Sequence, residues 1–148
     1  MRGKEGIQLK IKFTKNHPDA VIPIRATSGA AGFDLTAVSA ECVHPGLYRY
    51  DTGIAVEIPP GYVGLVFQRS SVYKTGLALC NAVGVIDSDY RGTISFMFRT
   101  YGLLAKPYRP GDRIGQIVFA PAPEVELEEV PELSMTERGE GGYGSTGI

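Results

Sequence analysis

Alternation of apolar and polar side chains with a period of two constrains this chain more than any other feature. Ile7-Gln-Leu-Lys-Ile-Lys-Phe13 alternates without a miss, and only extended backbone turns every second side chain to the same face. Further apolar or alternating runs lie at 33–38, 54–58, 63–68, 77–80, 93–98, 113–119 and 125–130. Turn formers stand between them: Ser28-Gly29, Pro45-Gly46, Pro59-Pro60-Gly61, Asp89-Tyr-Arg-Gly92 and Pro110-Gly111. No window of a dozen residues has helical spacing, and residues 70–75 have room for a turn or two at most. With 19 Gly and 10 Pro spread along it, the chain is predicted to be all-β, a jelly-roll-like sandwich or barrel.

At 148 residues the chain is long enough for one domain with a real core. That domain is expected over 1–130, followed by a flexible Gly-rich arm over 131–148. A formal net charge of −1 provides no field to attract nucleic acid or a membrane surface. The apolar runs are much shorter than a membrane span, and the first six residues lack the apolar stretch of a signal peptide. A cytoplasmic location is therefore expected, or host cytoplasm or nucleus for a viral chain. Cys42 and Cys80 are too far apart for a metal knuckle and are expected to be buried, reduced thiols. His17 and His44 are too few and too scattered for a protein-built zinc site.

The segment Glu124-Val-Glu-Leu-Glu-Glu-Val130 carries four glutamates and precedes Pro131. It suits a strand that leaves its own domain to pair elsewhere, and equally a charged edge strand that blocks aggregation. Beyond it, Arg138-Gly-Glu-Gly-Gly-Tyr-Gly-Ser-Thr-Gly147 has five glycines in ten residues. Such a stretch cannot build a packed element, because each glycine loses much backbone freedom on ordering. It does carry a guanidinium, a stacking ring (Tyr143) and two hydroxyls (Ser145, Thr146), with exposed N–H groups such as that of Gly144. Those groups suit an arm closing over a nucleotide; a disordered linker has the same composition. A P-loop would need a Lys before the Ser/Thr and a following helix.

Four more segments carry chemistry. In Asn81-Ala-Val-Gly-Val-Ile-Asp-Ser-Asp-Tyr-Arg-Gly92, Gly84 permits close backbone approach, and Asp87 follows the apolar run at the rim of a sheet. Asp87 is placed to activate a water, bind a metal or cap the turn to Gly92. Arg69-Ser70-Ser71 ends a strand and reads as a phosphate grip, or Arg69 as a structural ion pair. In the run from Gly111 to Phe119, Arg113 and Gln116 interrupt apolar residues. Between Ala31 and Ala37, Asp34 sits between Phe33 and Leu35, where a charge needs a partner.

Taken together and in order, the five segments resemble the five motifs of the homotrimeric dUTP pyrophosphatases (dUTPases), over essentially the whole chain from Ile7 onward. The resemblance implies hydrolysis of dUTP to dUMP and pyrophosphate, keeping uracil out of DNA and supplying dUMP for thymidylate synthesis. It makes Asp87 the base that activates the water attacking the α-phosphorus. Asn81 and the backbone of Gly84, Val85 and Ile86 match the site that reads the uracil edge. Tyr90 matches the ring packed on deoxyribose that excludes a 2′-hydroxyl. Arg69, Ser70, Ser71 and Gln116 match phosphate ligands, and Arg138, Tyr143, Gly144, Ser145 and Thr146 the closing arm. Asp34 matches a supporting carboxylate. The family also implies Mg2+ held by the substrate's phosphates and water with no direct protein ligand, and a homotrimer with shared active sites.

Four positions depart from the family pattern: Tyr143 where Phe is more usual, Gln68 before Arg69, Gly115 where Ala is common, and Arg99-Thr-Tyr after Phe98. The related dCTP deaminases place a catalytic Glu in the strand after the third motif, and Thr93-Ile-Ser-Phe-Met-Phe98 has none. A nucleotide-gated binding module is the rival reading of another class, and no inserted domain or extra loop supports it.

Overall fold

A computed structural model describes residues 8–144; Ile7, Ser145 and Thr146 lie outside the described residues. Nine strands and one 3-10 turn are formed: β1 Lys12–Lys15, β2 Phe33–Thr36, β3 Ser39–His44, β4 Leu47–Glu57, β5 Tyr62–Gln68, the turn Ser70–Lys74, β6 Leu77–Leu79, β7 Gly84–Ile86, β8 Thr93–Thr100 and β9 Arg113–Pro121. They make two antiparallel sheets. One runs β1-β4-β8-β6 with β3 also on β4; the other runs β2-β9-β5-β7. No described helix is long and apolar enough to cross a membrane.

Period two produces the core. On β8, Ile94, Phe96 and Phe98 are buried while Thr93, Ser95 and Met97 alternate with them. Leu35, Ile54, Ile58, Ile114 and Ile117 complete the space between the sheets. Burial of each such side chain contributes roughly 1.5–3 kcal/mol. β9 departs from strict alternation because Leu35 pairs with Gly115 and Thr36 with Arg113. Ile114 is thus an extra, bulged residue, and both it and Gly115 face inward. A Cβ at Gly115 would collide with the Phe96 ring, which explains why Gly stands there. The Gln68 departure also has a role: Leu79 N–H donates to Gln68 Oε1 at 3.0 Å, tying β5 of one sheet to β6 of the other.

Several sequence expectations need correction. The strand expected over 7–13 is formed at Lys12–Lys15, paired with Ile54–Glu57; beyond Glu57 the partner chain reaches Pro59-Pro60, which has no N–H groups for a ladder. The strand expected at 54–58 is the end of β4, which begins at Leu47, and β3 was not expected at all. Residues 125–130 form no strand within one copy. Cys42 and Cys80 are exposed, not buried: Cys42 lies on a β3 exposed at every residue, and Cys80 follows the end of β6.

Candidate active site

β2, β5 and β9 carry three of the motifs to one end of the four-stranded sheet. β5 ends at Gln68, and Arg69 stays extended (φ −76°, ψ 153°) before the 3-10 turn takes up Ser70 and Ser71. Gly115 pairs with Gln68 and Gln116 with Phe67 on one side and Asp34 on the other. The Gln116 side chain lies where a Cβ on Gly32 would sit, so this glycine makes room for it. Arg113 Nη1 donates to Asp34 Oδ2 at 3.0 Å, which supplies the partner the Asp34 charge required. Beside them is a cleft of about 490 Å³ whose walls include Arg69, Thr75, Lys106, Tyr108, Asp112 and Arg113.

Behind that cleft Tyr50, Phe98 and Tyr108 pack edge to face at 5.5–5.9 Å. The Tyr50 hydroxyl leans toward the Tyr108 backbone and the Tyr108 hydroxyl toward Thr75, but neither makes a well-formed hydrogen bond among the described residues. Burial pushes the Tyr50 phenol up to about 12. Burial also raises Tyr108, against a smaller opposing pull from Arg69.

The third motif runs the length of β7. Val66 pairs with Gly84 so closely that a Cβ on Gly84 would strike the Val66 side chain, and the Asn81 amide nitrogen lies 3.4 Å from that same point. Asp87 leaves β7 exposed to solvent and its carbonyl accepts the Tyr90 N–H at 3.2 Å. Tyr90 folds back across Gly92, where its ring occupies the place of a Cβ, and its hydroxyl donates to Thr93 O at 3.2 Å. Arg91 donates to the carbonyls of Ser88 (2.7 Å) and Tyr90 (3.0 Å), bracing the loop.

Two groups of the residues expected from the sequence to form the site therefore stand apart within one copy. Gly64 pairs with Ile86, which sets Asp87 opposite Val63, while Arg69 lies six residues further along β5. At the rise of an extended chain that is about 20 Å. Among the described residues, the arm makes no hydrogen bond to either group. Arg138 Nε donates to Gly141 O at 2.8 Å and Gly139 N–H to Thr136 Oγ1 at 3.1 Å, so the segment closes on itself. Tyr143 is fully exposed with φ +49°. Among the described residues, no group of three His, Cys, Asp or Glu side chains is placed to hold a metal ion. Lys106 and Tyr108 also line the cleft and were not anticipated, whereas Asp112 falls in the segment that begins at Gly111. The two come from a loop with no periodicity, and only the Pro110-Gly111 turn marked its end.

Residues 18–147 match the dUTPase family. The chain is 42% identical over 141 residues to the deoxyuridine 5'-triphosphate nucleotidohydrolase of Nautilia profundicola, covering 94% of this chain and 99% of that one. It is 44% identical over 130 residues to the enzyme of the same name from Anaplasma marginale, covering 85% and 88%. The structure of the Staphylococcus bacteriophage 80alpha dUTPase with dUPNHPP matches with a TM-score of 0.81 at 26% identity, covering 94% of this chain and 99% of that one. Order of motifs, fold and extent of match agree: the chain belongs to the dUTPase family.

Proposed function

We propose that this protein hydrolyses dUTP to dUMP and pyrophosphate, with active sites assembled between copies of the chain in a homotrimer. The observation that carries the assembly is the distance of about 20 Å along β5 between Arg69 and Asp87. A phosphate grip and a base so far apart cannot act on one α-phosphorus, whereas the Arg69 end of one copy and the Asp87 rim of another can.

In such a site Asp87 takes a proton from water as its oxygen attacks the α-phosphorus. The bond from that phosphorus to the bridging oxygen breaks, and pyrophosphate leaves with the electron pair. Arg69, Ser70, Ser71 and Gln116 donate to phosphate oxygens and stabilise the charge that develops. Tyr90, held across Gly92, forms the wall against deoxyribose, and Asn81 with the β7 backbone pairs the uracil edge. Cytosine in that pocket leaves polar groups unpaired, which is the costly kind of mismatch. Arg69, Ser70, Ser71 and Gln116 are donors to phosphate oxygens, and they would hold a triphosphate that carries its own Mg2+. When bound, the ion supplies charge neutralisation along the phosphate chain.

The acidic segment 124–130 supports the assembly. Val125 and Leu127 are exposed in one copy and alternate with glutamates. The edge strand β1 offers Lys12 and Lys15 around a half-exposed Phe13. Beside it opens an apolar cavity of about 380 Å³ that includes Ile11, Phe13, Phe33 and Phe119. A strand of one copy added to β1 of the next would match charge to charge and cover that cavity.

The test combines two variants. Asp87→Asn should lose turnover by about 10²–10⁴-fold while still binding dUTP, and Arg69→Ala should be weakly active. Mixed trimers of the two should recover activity, because some sites then receive an intact Arg69 and an intact Asp87. Mixtures no more active than either parent would sink the shared site, and a fully active Asp87→Asn would remove Asp87 from the chemistry.

A further inference from the structure

Residues 101–110, between β8 and the segment that begins at Gly111, contribute no residue to the family motifs, yet Lys106, Pro107 and Tyr108 form one wall of the cleft beside Arg69. The wall is fixed by its backbone. Lys106 N–H donates to Thr75 O and Tyr101 N–H to Gly76 O, both at 2.7 Å. Gly76 has φ +66°, and a Cβ there would press on the Tyr101 carbonyl at 3.1 Å and the Ala105 Cα at 3.2 Å. The loop therefore lies backbone against backbone on the turn that follows Ser70 and Ser71. Pro107 disfavours a helical conformation at Lys106, and the lysine is exposed at the cleft.

Charge in the cleft is unevenly matched. Arg113 is paired with Asp34, and the Asp112 carboxylate accepts the Arg109 N–H at 2.7 Å. Arg69 and Lys106 have no carboxylate within ion-pair distance among the described residues. Two elements of unrelated sequence thus each present a cation with no carboxylate in ion-pair reach to the same concave space; the Asp112 carboxylate also lines it, and positive charge remains in excess, which favours a polyanion.

We propose that Lys106 is a specificity-determining phosphate ligand that holds, with Arg69, the two phosphates leaving as pyrophosphate. The assignment rests on the dUTP reading and deepens it. A lysine ammonium on a flexible stem is a point charge able to follow the terminal phosphates. Its contact is available to a triphosphate or to pyrophosphate and not to dUMP, so Lys106 separates the substrate from the nucleotide product.

The experiment uses the full chain with Lys106→Gln and Lys106→Arg, inorganic pyrophosphate as a calorimetric probe, and dUTP kinetics. Lys106→Gln should weaken pyrophosphate binding and raise the KM for dUTP about tenfold, the loss expected for one charged contact. It should leave kcat, Tm and inhibition by dUMP little changed and flatten the salt dependence of kcat/KM. Lys106→Arg should restore most of the affinity. Equal pyrophosphate affinity in wild type and Lys106→Gln overturns the assignment, as does a matching loss of dUMP affinity. If Lys106→Gln lost pyrophosphate binding in a protein unable to hydrolyse dUTP, the phosphate role would stand and the substrate reading would fall.

Discussion

Arg113 and Asp34 meet across the β2–β9 ladder with Nη1 and Oδ2 3.0 Å apart. The pair is diagonal, since Arg113 pairs with Thr36 and Asp34 with Gln116. It joins the first motif to the fourth at the edge of the cleft. Asp34 is mostly buried, at 20% side-chain exposure, whereas Arg113 is half in solvent at 53%. Screening on the Arg113 side limits the pair to about 1 kcal/mol or less. Asp34→Asn should thus lower stability by that amount in urea unfolding. A double-mutant cycle with Arg113→Ala should show positive coupling; additivity would mean that the two side chains are neighbours without mutual stabilisation.

Tyr50 gives a prediction in alkaline solution. It is fully buried, its hydroxyl has no well-formed partner, and burial pushes its phenol from an ordinary value near 10 up to about 12. A phenol held protonated in the folded state supports the fold in full below pH 10, and that support is lost as pH rises through 12. Tyr50→Phe keeps the ring contacts with Phe98 and Tyr108 and removes a buried, unpaired hydroxyl. It should raise stability at neutral pH by about 1 kcal/mol and flatten the fall of Tm between pH 10 and 12. An alkaline limb identical to that of wild type would assign that limb to other groups.

How far the sequence revealed the fold depended on side-chain type. β8 and β9 were legible because Ile94, Phe96, Phe98 and Ile117 are unambiguously apolar on one face. The first half of β4 was not, because its inward residues are Tyr48, Tyr50 and Thr52, whose polar atoms disguise an alternation that is present. Residues 124–128 alternate clearly yet have no partner strand in one copy, since alternation gives the face of a strand and not its neighbour. In the proposed site, Asp87, Arg69 and Gln116 stand out in the sequence as polar groups at the ends of, or within, apolar runs. Their separation was not legible, because it follows from the register of β5 against β7 and β9, which no local pattern encodes.

Tyr90 and Gly92 form a second coupled pair. The Tyr90 ring lies where a Gly92 side chain would begin, so Gly92→Ala should displace the ring and break its hydrogen bond to Thr93 O. If the ring excludes a 2′-hydroxyl, both Gly92→Ala and Tyr90→Ala should lower the preference for dUTP over UTP in kcat/KM. Base preference should change less. An unchanged dUTP/UTP ratio in Tyr90→Ala would place sugar recognition elsewhere.

Deletion of residues 136–148 separates folding from catalysis most directly. Through Gly144 this segment is exposed or half-buried, none of it belongs to the core, and its hydrogen bonds within 136–141 are local. Removing it should therefore leave Tm and oligomeric state almost unchanged. In the proposed site its contribution comes only with substrate, when Arg138 exchanges its bond to Gly141 O for a phosphate and Tyr143 stacks on the base. Stacking contributes roughly 1–3 kcal/mol, and closure also excludes water and orders the triphosphate for attack. The truncation should then lose most of kcat/KM. Tyr143→Ala should be a milder version of the same loss, and Tyr143→Phe nearly silent, because stacking needs the ring and not the hydroxyl. Thermal melting, light scattering and steady-state kinetics on the three variants make the comparison. Wild-type kcat/KM in the truncated protein would make the arm a linker with no part in the reaction.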